Sequence, residues 1–347
     1  MAFFGFGDRD SVHPAERVWA GRLESGSGCE SHPTPSANSM AVPEWSEKPV
    51  DALYQWDREV AMIFVTGATG TVGSPLLARL AEREAPTRAL AHSPAGRELI
   101  ERCGVEAVDG DYDRPETLQA AMAGCERLFL LSPPHPAQPT REKAAIDAAQ
   151  RAGVSHVVAV SVMGADPASP VAFGRWHADI DEHLISSGLG YTILRPAGFM
   201  QVHLLPVHTI KGQGRWYGMT GDGAAAWIDA RDIAEVAAEA LTGPPRAAAV
   251  YDLTGPAAIS MPEAATVVSE VIGRSVDYVD VPPDQFRAGM VGAGVPELTA
   301  DAIVSLYRAV RAGHVATVTD TVQQVTGRPA ATYRQFVEAH KEALASD

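Results

Sequence analysis

Apolar residues follow two alternating patterns along the chain from Met62 onward. Short runs of consecutive apolar residues are typical of strands buried on both faces of a sheet, and longer segments with an apolar residue every three to four positions are typical of helices. The predicted strands lie at residues 61–67, 87–92, 105–111, 126–134, 156–164 and 191–196. The predicted helices between them lie at residues 71–84, 95–104, 114–124, 137–153 and 173–188.

This alternation predicts an α/β fold with a doubly wound parallel sheet, a Rossmann fold, over residues 62–200. A further strand near residues 249–254 is expected to complete the sheet. Residues 201–347 are less regular and are expected to form mainly a smaller, mostly helical C-terminal substrate lobe. Ligands of such sheets bind beyond the carboxyl ends of the strands.

Residues 1–61 have a different composition, in which Gly, Ser and Pro are scattered and no hydrophobic period persists. They predict a poorly structured N-terminal extension. Trp19, Trp45 and Trp56 make this extension less polar than a typical disordered tail. Two interpretations stay open: the extension docks on the folded part, or it is a misassigned upstream segment.

Charge and composition exclude several classes of function. The chain has 347 residues, with 28 Lys and Arg against 43 Asp and Glu, which gives a net charge of −15 and makes direct nucleic-acid binding an unfavourable hypothesis. Three widely spaced cysteines fit neither a disulfide framework nor a zinc site. No apolar run approaches the ~18 residues of a membrane span. These features predict a soluble, cytoplasmic monomer or homodimer that acts on a small molecule.

Three glycines mark the turn between the first predicted strand and the first predicted helix. Gly67, Gly70 and Gly73 would let backbone N–H groups approach a pyrophosphate, whose negative charge is favoured at a helix N-terminus. The predicted dinucleotide contacts in this turn are Gly67, Thr69, Gly70, Thr71, Val72 and Gly73. Ordinary tight turns also use such glycines, so the prediction depends on their place in the β/α series.

The end of the second predicted strand carries no acidic residue for ribose hydroxyls. His92, Ser93 and Arg97 can instead accept a 2′-phosphate, which favours NADPH over NADH. In the alternative interpretation, these three are solvated loop residues and the choice of cofactor is loose. Asp111 is a candidate acceptor for an adenine amino group or, alternatively, a helix N-cap.

The end of the fourth predicted strand, at Leu131, Ser132 and Pro133, lies where the ribose of the cofactor is expected to pass.

From Met62 to the C-terminus, the chain resembles the NmrA-like atypical short-chain dehydrogenase/reductase family. The resemblance is carried by TGATGTVG, GDYDRPETLQAAMAGCERLFLLSP, AAIDAAQRAGVSHVVAVS, HADIDEHLISSGLGYTILRP and IDARDIAEVAAEAL. It implies a Rossmann core, NADP(H) at residues 67–73 and, in many relatives, reduction of quinones, imines or related conjugated electrophiles. Some relatives are instead redox sensors that bind the dinucleotide without turnover.

The sequence departs from the catalytic pattern of typical short-chain dehydrogenases, which use a Ser followed by Tyr-x-x-x-Lys. Ser161 occupies the expected strand end, but residues 161–190 contain no tyrosine or lysine. In one interpretation, His177 takes the place of the lysine beside the ribose, and Ser161 bonds the cofactor or substrate. In the other, the site binds a dinucleotide without redox chemistry, and His177 is structural.

The segment after the sixth predicted strand is expected to face the nicotinamide. Pro196, Ala197 and Phe199 are candidate cofactor contacts, and Phe199, Met200 and Trp227 are candidate substrate contacts suited to a flat apolar molecule. Met200 and Trp227 are otherwise core residues. No metal site is predicted, because His203 and His208 have no nearby carboxylate or thiol in the sequence.

The leading hypothesis is an NADPH-dependent oxidoreductase that transfers hydride to a planar quinone, imine or conjugated carbonyl compound, in secondary metabolism or detoxification. The alternatives are a non-enzymatic NADP(H) sensor and a biosynthetic isomerase or cyclase. Fold alone does not choose among them, because this architecture hosts many chemistries.

Overall fold

The computed structural model of the chain describes residues 61–244 and 248–345. The extension predicted for residues 1–61 lies outside the described residues, except for its last residue. Among the described residues, no helix combines the length and the apolar character needed to cross a membrane.

The elements of the N-terminal half alternate as the hydrophobic pattern predicts. Its strands are β1 Ile63–Val65, β2 Thr87–Ala91, β3 Glu106–Asp109, β4 Arg127–Leu130, β5 His156–Val160 and β6 Gly190–Pro196. Its helices are α1 Gly73–Glu82, α2 Pro94–Arg102, α3 Pro115–Ala121, α4 Gln138–Ala152 and α5 Ala172–Ser186.

The C-terminal half is mostly helical. After a 3₁₀ turn at Met200–Leu204 come α6 Val207–Gln213, β7 Arg215–Gly218, β8 Ala224–Ala225, α7 Ala230–Thr242, β9 Ala248–Leu253, β10 Ile259–Ser260, α8 Met261–Ile272 and β11 Asp277–Asp280. The chain continues through α9 Pro283–Gly292, α10 Glu297–Arg311, α11 Thr321–Thr326, α12 Tyr333–Ala339 and α13 Lys341–Leu344.

Seven of the described strands form one sheet in the order β3-β2-β1-β4-β5-β6-β9, with every neighbouring pair parallel. The chain leaves β1 toward β2 on one side and returns to β4 on the other, so the carboxyl ends of β1 and β4 flank a topological switch point. The predicted Rossmann sheet is confirmed, and the strand expected near residues 249–254 is β9.

Both faces of the sheet are covered, which explains the continuous apolar runs of the strands. Successive strand residues point to opposite faces, so Val65 packs into one core cluster and Phe64 into the other. One cluster joins the sheet to α1 and α7, and the other joins it to α3, α4 and α5.

A third apolar cluster forms the core of the C-terminal lobe, with contributions from α6, α8, α10 and α12. Residues beyond the predicted boundary at residue 200 also contribute to the Rossmann layers. Helix α7 packs on α1, β9 pairs with β6, and α11 packs on α7, so three elements of residues 201–347 belong to the Rossmann layers.

The turn from β1 into α1 is so tight that we expect Gly73→Ala to destabilise the protein strongly. A Cβ atom on Gly73 would lie 2.0 Å from the Gly67 carbonyl oxygen, and backbone atoms cannot yield as a flexible side chain can. The free energy of unfolding in urea should fall by at least about 3 kcal/mol.

Gly212→Ala is the matched control, because the added Cβ meets no atom within 4 Å on helix α6. This variant should be as stable as the wild type or more stable by about 0.5 kcal/mol. A Gly73→Ala protein with wild-type stability would contradict the close approach.

Candidate functional site

The glycine turn forms a cradle at the N-terminus of α1. Gly67 has a φ of 61°, and a Cβ atom there would lie 2.7 Å from the Leu131 carbonyl oxygen. Helix α1 starts at Gly73 without a side-chain hydrogen bond from its N-cap residue, Val72. The cradle therefore offers close backbone access and helix N–H groups, which together fit the pyrophosphate of a dinucleotide. Thr69 is exposed at this turn, and Gly70 donates its N–H to the Gly67 carbonyl over 3.0 Å.

At the end of β2, the residues expected to bind a 2′-phosphate differ in charge. Burial lowers the pKa of His92, whose ring stacks on Tyr112 at 6.0 Å, so the imidazole is neutral near pH 7. The Ser93 hydroxyl accepts the Gly96 N–H over 3.0 Å as the N-cap of α2. Arg97 is the permanently charged member of the three, and its guanidinium donates to Asp109 Oδ1 over 2.7 Å.

Asp111 lies at the end of β3 but is not the N-cap of α3, which is Arg114. Its carboxylate instead accepts the Asp113 N–H over 2.9 Å within a turn. The N-cap alternative for Asp111 is therefore wrong, and the adenine contact stays a prediction.

The carboxyl end of β4 is joined to β1 and to α4. The Leu131 N–H donates to Thr66 Oγ1 over 2.9 Å, which ties the ends of β4 and β1 together. Ser132 donates its N–H (3.1 Å) and its hydroxyl (2.6 Å) to Glu142 Oε1, and Gln138 Nε2 donates to the same oxygen over 3.1 Å. Pro133 follows directly on the chain.

Glu142 is fully buried on α4, and burial raises its pKa to about 7. The negative charge of Asp181 raises this pKa further, whereas the hydrogen bonds from Ser132 and Gln138 oppose the shift. The second oxygen, Oε2, has no hydrogen-bond partner among the described residues. Near neutral pH the side chain can therefore hold or release a proton.

At the end of β5, Ser161 is held by a carboxylate. Its hydroxyl donates to Asp181 Oδ2 over 3.0 Å, and Arg195 Nη2 donates to the same oxygen over 2.8 Å. Burial raises the pKa of Asp181, against the effect of Arg195. Ser161 has an orienting carboxylate partner, and among the described residues no hydrogen bond joins it to a histidine that would make it a nucleophile.

His177 lies on α5, one helical turn before Asp181. Burial lowers its pKa to about 4, and its Nδ1 atom has no hydrogen-bond partner among the described residues. A neutral imidazole can exchange a hydrogen bond with a ribose hydroxyl but cannot supply the positive charge of the lysine that it was expected to replace.

The segment after β6 connects the sheet to the lobe. Ala197, next to Pro196, donates its N–H to the Leu253 carbonyl over 2.8 Å, and Phe199 is bridged to Ile228. Met200 and Trp227 are each 1% exposed and pack into the lobe core. Phe199 is 6% exposed and packs into the core cluster on the α1 face of the sheet. The contact of all three residues with substrate stays a prediction.

The two histidines considered for a metal have separate settings. His203 lies in an aromatic cluster, with its ring 4.5 Å from that of Trp227 and its Nδ1 atom 3.0 Å from the Tyr333 hydroxyl. His208 lies on α6. No group of three or more His, Cys, Asp or Glu residues in the described part of the chain is arranged to hold a metal.

Two residues of this site escaped the sequence analysis, Glu142 and Asp181. Each is an acidic residue on the apolar stripe of its helix: Glu142 shares the buried face of α4 with Ala145, Ile146 and Ala149. An acid in such a stripe is the signal that could have found both, because a buried carboxyl needs a compensating partner.

The parallel sheet and its glycine cradle define a dinucleotide-binding Rossmann protein, and comparison with known proteins specifies the class. Residues 67–244 match the model of the NAD(P)H-binding family. The chain is 41% identical over 283 residues to the NAD(P)H azoreductase of Xenophilus azovorans. The aligned region covers 82% of this chain and 99% of that protein.

Solved structures agree with this relationship. The NADPH-dependent quinone oxidoreductase of Escherichia coli, complexed with NADPH, has a TM-score of 0.73 at 26% identity and covers 80% of this chain and 98% of its own. The triphenylmethane reductase of Citrobacter sp., complexed with NADP(H), has a TM-score of 0.73 at 26% identity and covers 81% and 99%. A mutant NmrA shares the fold, with a TM-score of 0.62 at 18% identity over 81% of this chain and 95% of its own.

The chain therefore belongs to the NAD(P)H-binding family, and its resemblance to NmrA is confirmed at the level of the fold. It is an NAD(P)H-dependent oxidoreductase.

The raised pKa of Glu142 predicts a specific dependence of stability on pH. The folded state binds this proton more tightly than the unfolded state, so the stabilisation is complete below the ordinary pKa of 4.5 and is lost as the pH rises to about 7. Glu142→Gln removes the effect. The free energy of unfolding of Glu142→Gln, relative to that of the wild type, should therefore rise by about 2 kcal/mol from pH 5 to pH 8.

Urea titrations at a series of pH values measure this difference. Glu182→Gln, at an exposed position of α5, is the control and should follow the wild type at every pH. Parallel curves for Glu142→Gln and wild type would show that the Glu142 carboxyl titrates normally.

Proposed function

We propose that the protein transfers a hydride from NADPH to a planar, electrophilic small molecule such as a quinone, an imine or a conjugated carbonyl compound. The observation that carries the proposal is the composition of the site: a dinucleotide cradle beside a site that has neither the tyrosine acid nor the lysine of typical short-chain dehydrogenases. Such a site suits acceptors that are already electrophilic, because they need little acid assistance.

The relatives support the same substrate class. They are named for the reduction of azo compounds, quinones and triphenylmethane dyes, which share a flat conjugated system. Their length is matched almost completely by this chain, so the elements that bind cofactor and substrate in them have counterparts here. A role in secondary metabolism or detoxification is consistent with such acceptors.

In this proposal, the chain binds, orients and shields the reactants. Backbone N–H groups at Gly67–Gly73 hold the pyrophosphate, and the bound nicotinamide supplies the hydride. Ser161, oriented by Asp181, bonds the ribose or the substrate, and His177 offers a neutral partner to the ribose hydroxyls. The apolar surface of Phe199 lies against the planar acceptor and excludes water.

A panel of acceptors tests the function. We expect the purified protein to oxidise NADPH, followed by its absorbance, with quinones and cationic imines and at a rate that increases with acceptor electrophilicity. NADPH alone, without an acceptor, is the control and should be stable. Tight binding of NADPH without turnover of any acceptor would contradict the proposal and would support the sensor alternative.

The preference for NADPH over NADH is a separate part of the proposal, and it depends on Arg97. Because His92 is neutral, Arg97 carries the positive charge available to a 2′-phosphate at the end of β2. Its ion pair with Asp109 is exposed, so a phosphate can compete for the guanidinium.

Arg97→Ala should therefore raise the Kd for NADPH about tenfold and leave the Kd for NADH unchanged. Tryptophan fluorescence titration measures both constants. Arg102→Ala, an exposed change in the last turn of the same helix, is the control and should alter neither. Equal weakening of both cofactors by Arg97→Ala would assign Arg97 to the structure of α2 instead.

A further inference from the structure

Two serine hydroxyls lie at the carboxyl ends of neighbouring strands, and each is hydrogen-bonded to a buried carboxyl group. Leu130 of β4 pairs with Ala159 of β5, so Ser132 and Ser161, each two positions further on, leave the sheet at the same level. Ser132 contacts Glu142 at 2.6 Å, and Ser161 contacts Asp181 at 3.0 Å. This edge is where ligands of doubly wound sheets bind.

The two carboxyl groups have the same unusual hydrogen bonding. All the hydrogen bonds to Glu142 fall on Oε1, and all those to Asp181 fall on Oδ2. Glu142 Oε2 and Asp181 Oδ1 are enclosed and have no partner among the described residues. An ionised carboxylate with a bare buried oxygen is costly, and a proton on the group removes the charge that makes it so.

The surroundings decide which of the two carboxyl groups carries the proton. Arg195 compensates the charge of Asp181, whereas the hydrogen-bond partners of Glu142 are the uncharged Ser132 and Gln138. The titratable groups that face Glu142 from other elements are Asp181 on α5 and the Tyr112 phenol after β3, and neither is a cation. Asp181 therefore keeps its charge, and Glu142 takes the proton.

We propose that Glu142 stores the proton that the Ser132 hydroxyl delivers to an anionic reduction product. This inference rests on the proposed function. A quinone that accepts a hydride gains two electrons and becomes a hydroquinone anion, while the nicotinamide is oxidised. The anion takes the proton of Ser132 Oγ, and Ser132 Oγ takes the carboxyl proton from Glu142 Oε1, the oxygen 2.6 Å away. The resulting carboxylate regains a proton from solvent after the product leaves.

The short contact between Glu142 and Ser132 suits this transfer. A hydroxyl both donates and accepts, and its hydrogen rotates, so the 2.6 Å contact carries a proton in either direction. A group that titrates near neutral pH both holds a proton and releases it, which is the property a general acid needs. This pair supplies the proton that a tyrosine donates in typical short-chain dehydrogenases.

The stored proton can be observed without turnover. In the cofactor-free protein, part of the infrared carbonyl stretch of protonated carboxyls should disappear as the pH rises through about 7, and the difference between the wild-type and Glu142→Gln spectra should contain that part. Asp232, whose pKa burial raises to about 6, contributes equally to both spectra. Glu182→Gln, the exposed control on α5, should retain the part assigned to Glu142. The same spectrum in wild type and Glu142→Gln would overturn the proposal.

Delivery of the proton is tested by comparing two kinds of acceptor. A quinone needs a hydride and a proton, whereas a triarylmethane cation becomes neutral on taking the hydride alone. Glu142→Gln and Ser132→Ala should each lower the ratio of quinone to cation turnover about tenfold or more, and the double variant should lower it no further. Quinone turnover by the wild type should fall as the pH rises above about 7, and Glu142→Gln should lose this dependence.

The outcomes separate the proposal from its alternatives. Equal slowing of both acceptors would assign Glu142 a purely structural role, and unchanged rates with both acceptors would remove Glu142 from the proton path. Either result overturns the proposal. If the wild type reduces no acceptor, the proposed function fails, and the infrared titration still decides whether Glu142 holds the proton.

Discussion

The backbone of the turn between β1 and α1 folds against itself and against the end of β4 at distances that admit no side chain. Gly73 faces the carbonyl of Gly67, and Gly67 faces the carbonyl of Leu131 at the end of β4. Thr66 fastens the same junction, because its hydroxyl donates to the Phe129 carbonyl over 3.0 Å and accepts the Leu131 N–H. The switch point of the sheet is therefore fixed by close backbone approaches and hydrogen bonds that leave no room for a side chain, and these contacts set the position of the strand ends beside it.

The polar residues of the site are placed by this constraint and by the packing of α4 and α5. Ser132 and Ser161 follow strands whose register is set by backbone pairing, and their carboxyl partners come from the helices that cover the same face. Buried charge limits what such an arrangement can contain. Arg195 offsets one negative charge, so two ionised carboxylates in this space would be far less stable than one carboxylate and one neutral acid.

Much of the fold follows from the sequence because its signals are local and repeated. Each strand of the Rossmann layer is an apolar run, and each helix has an apolar stripe, so their order predicts the sheet. The cradle was predictable because its three glycines lie at the first strand-to-helix turn of a β/α series, although ordinary tight turns also use such glycines. The strand β9 was expected, but the packing of α7 and α11 on the Rossmann layers was not predictable, since it depends on contacts between residues far apart in the chain.

The sequence predicts several residues of the site but not the side chains that form hydrogen bonds with them. Ser161 was identified from its place at a strand end, whereas Asp181 and Arg195, which orient it, are 20 and 34 residues further along the chain and meet it through tertiary packing. Glu142 is ten residues from Ser132, yet in the sequence it is one of several charged residues in a predicted helix and nothing distinguishes it from the others. Its burial, which gives the carboxyl its chemical interest, is a property of the helix packing.

The neutral state of His177 limits which kind of proton donor can act at the carboxyl ends of the strands. A lysine in a typical short-chain dehydrogenase brings a positive charge that stabilises an ionised tyrosine, and here both the charge and the tyrosine are absent. Because the imidazole is neutral and Arg195 is already paired with Asp181, a proton source at this edge is favoured in its neutral form in the resting state. A carboxyl kept protonated by burial meets that requirement, whereas a phenol with a raised pKa, such as Tyr112, would hold its proton too tightly near pH 7.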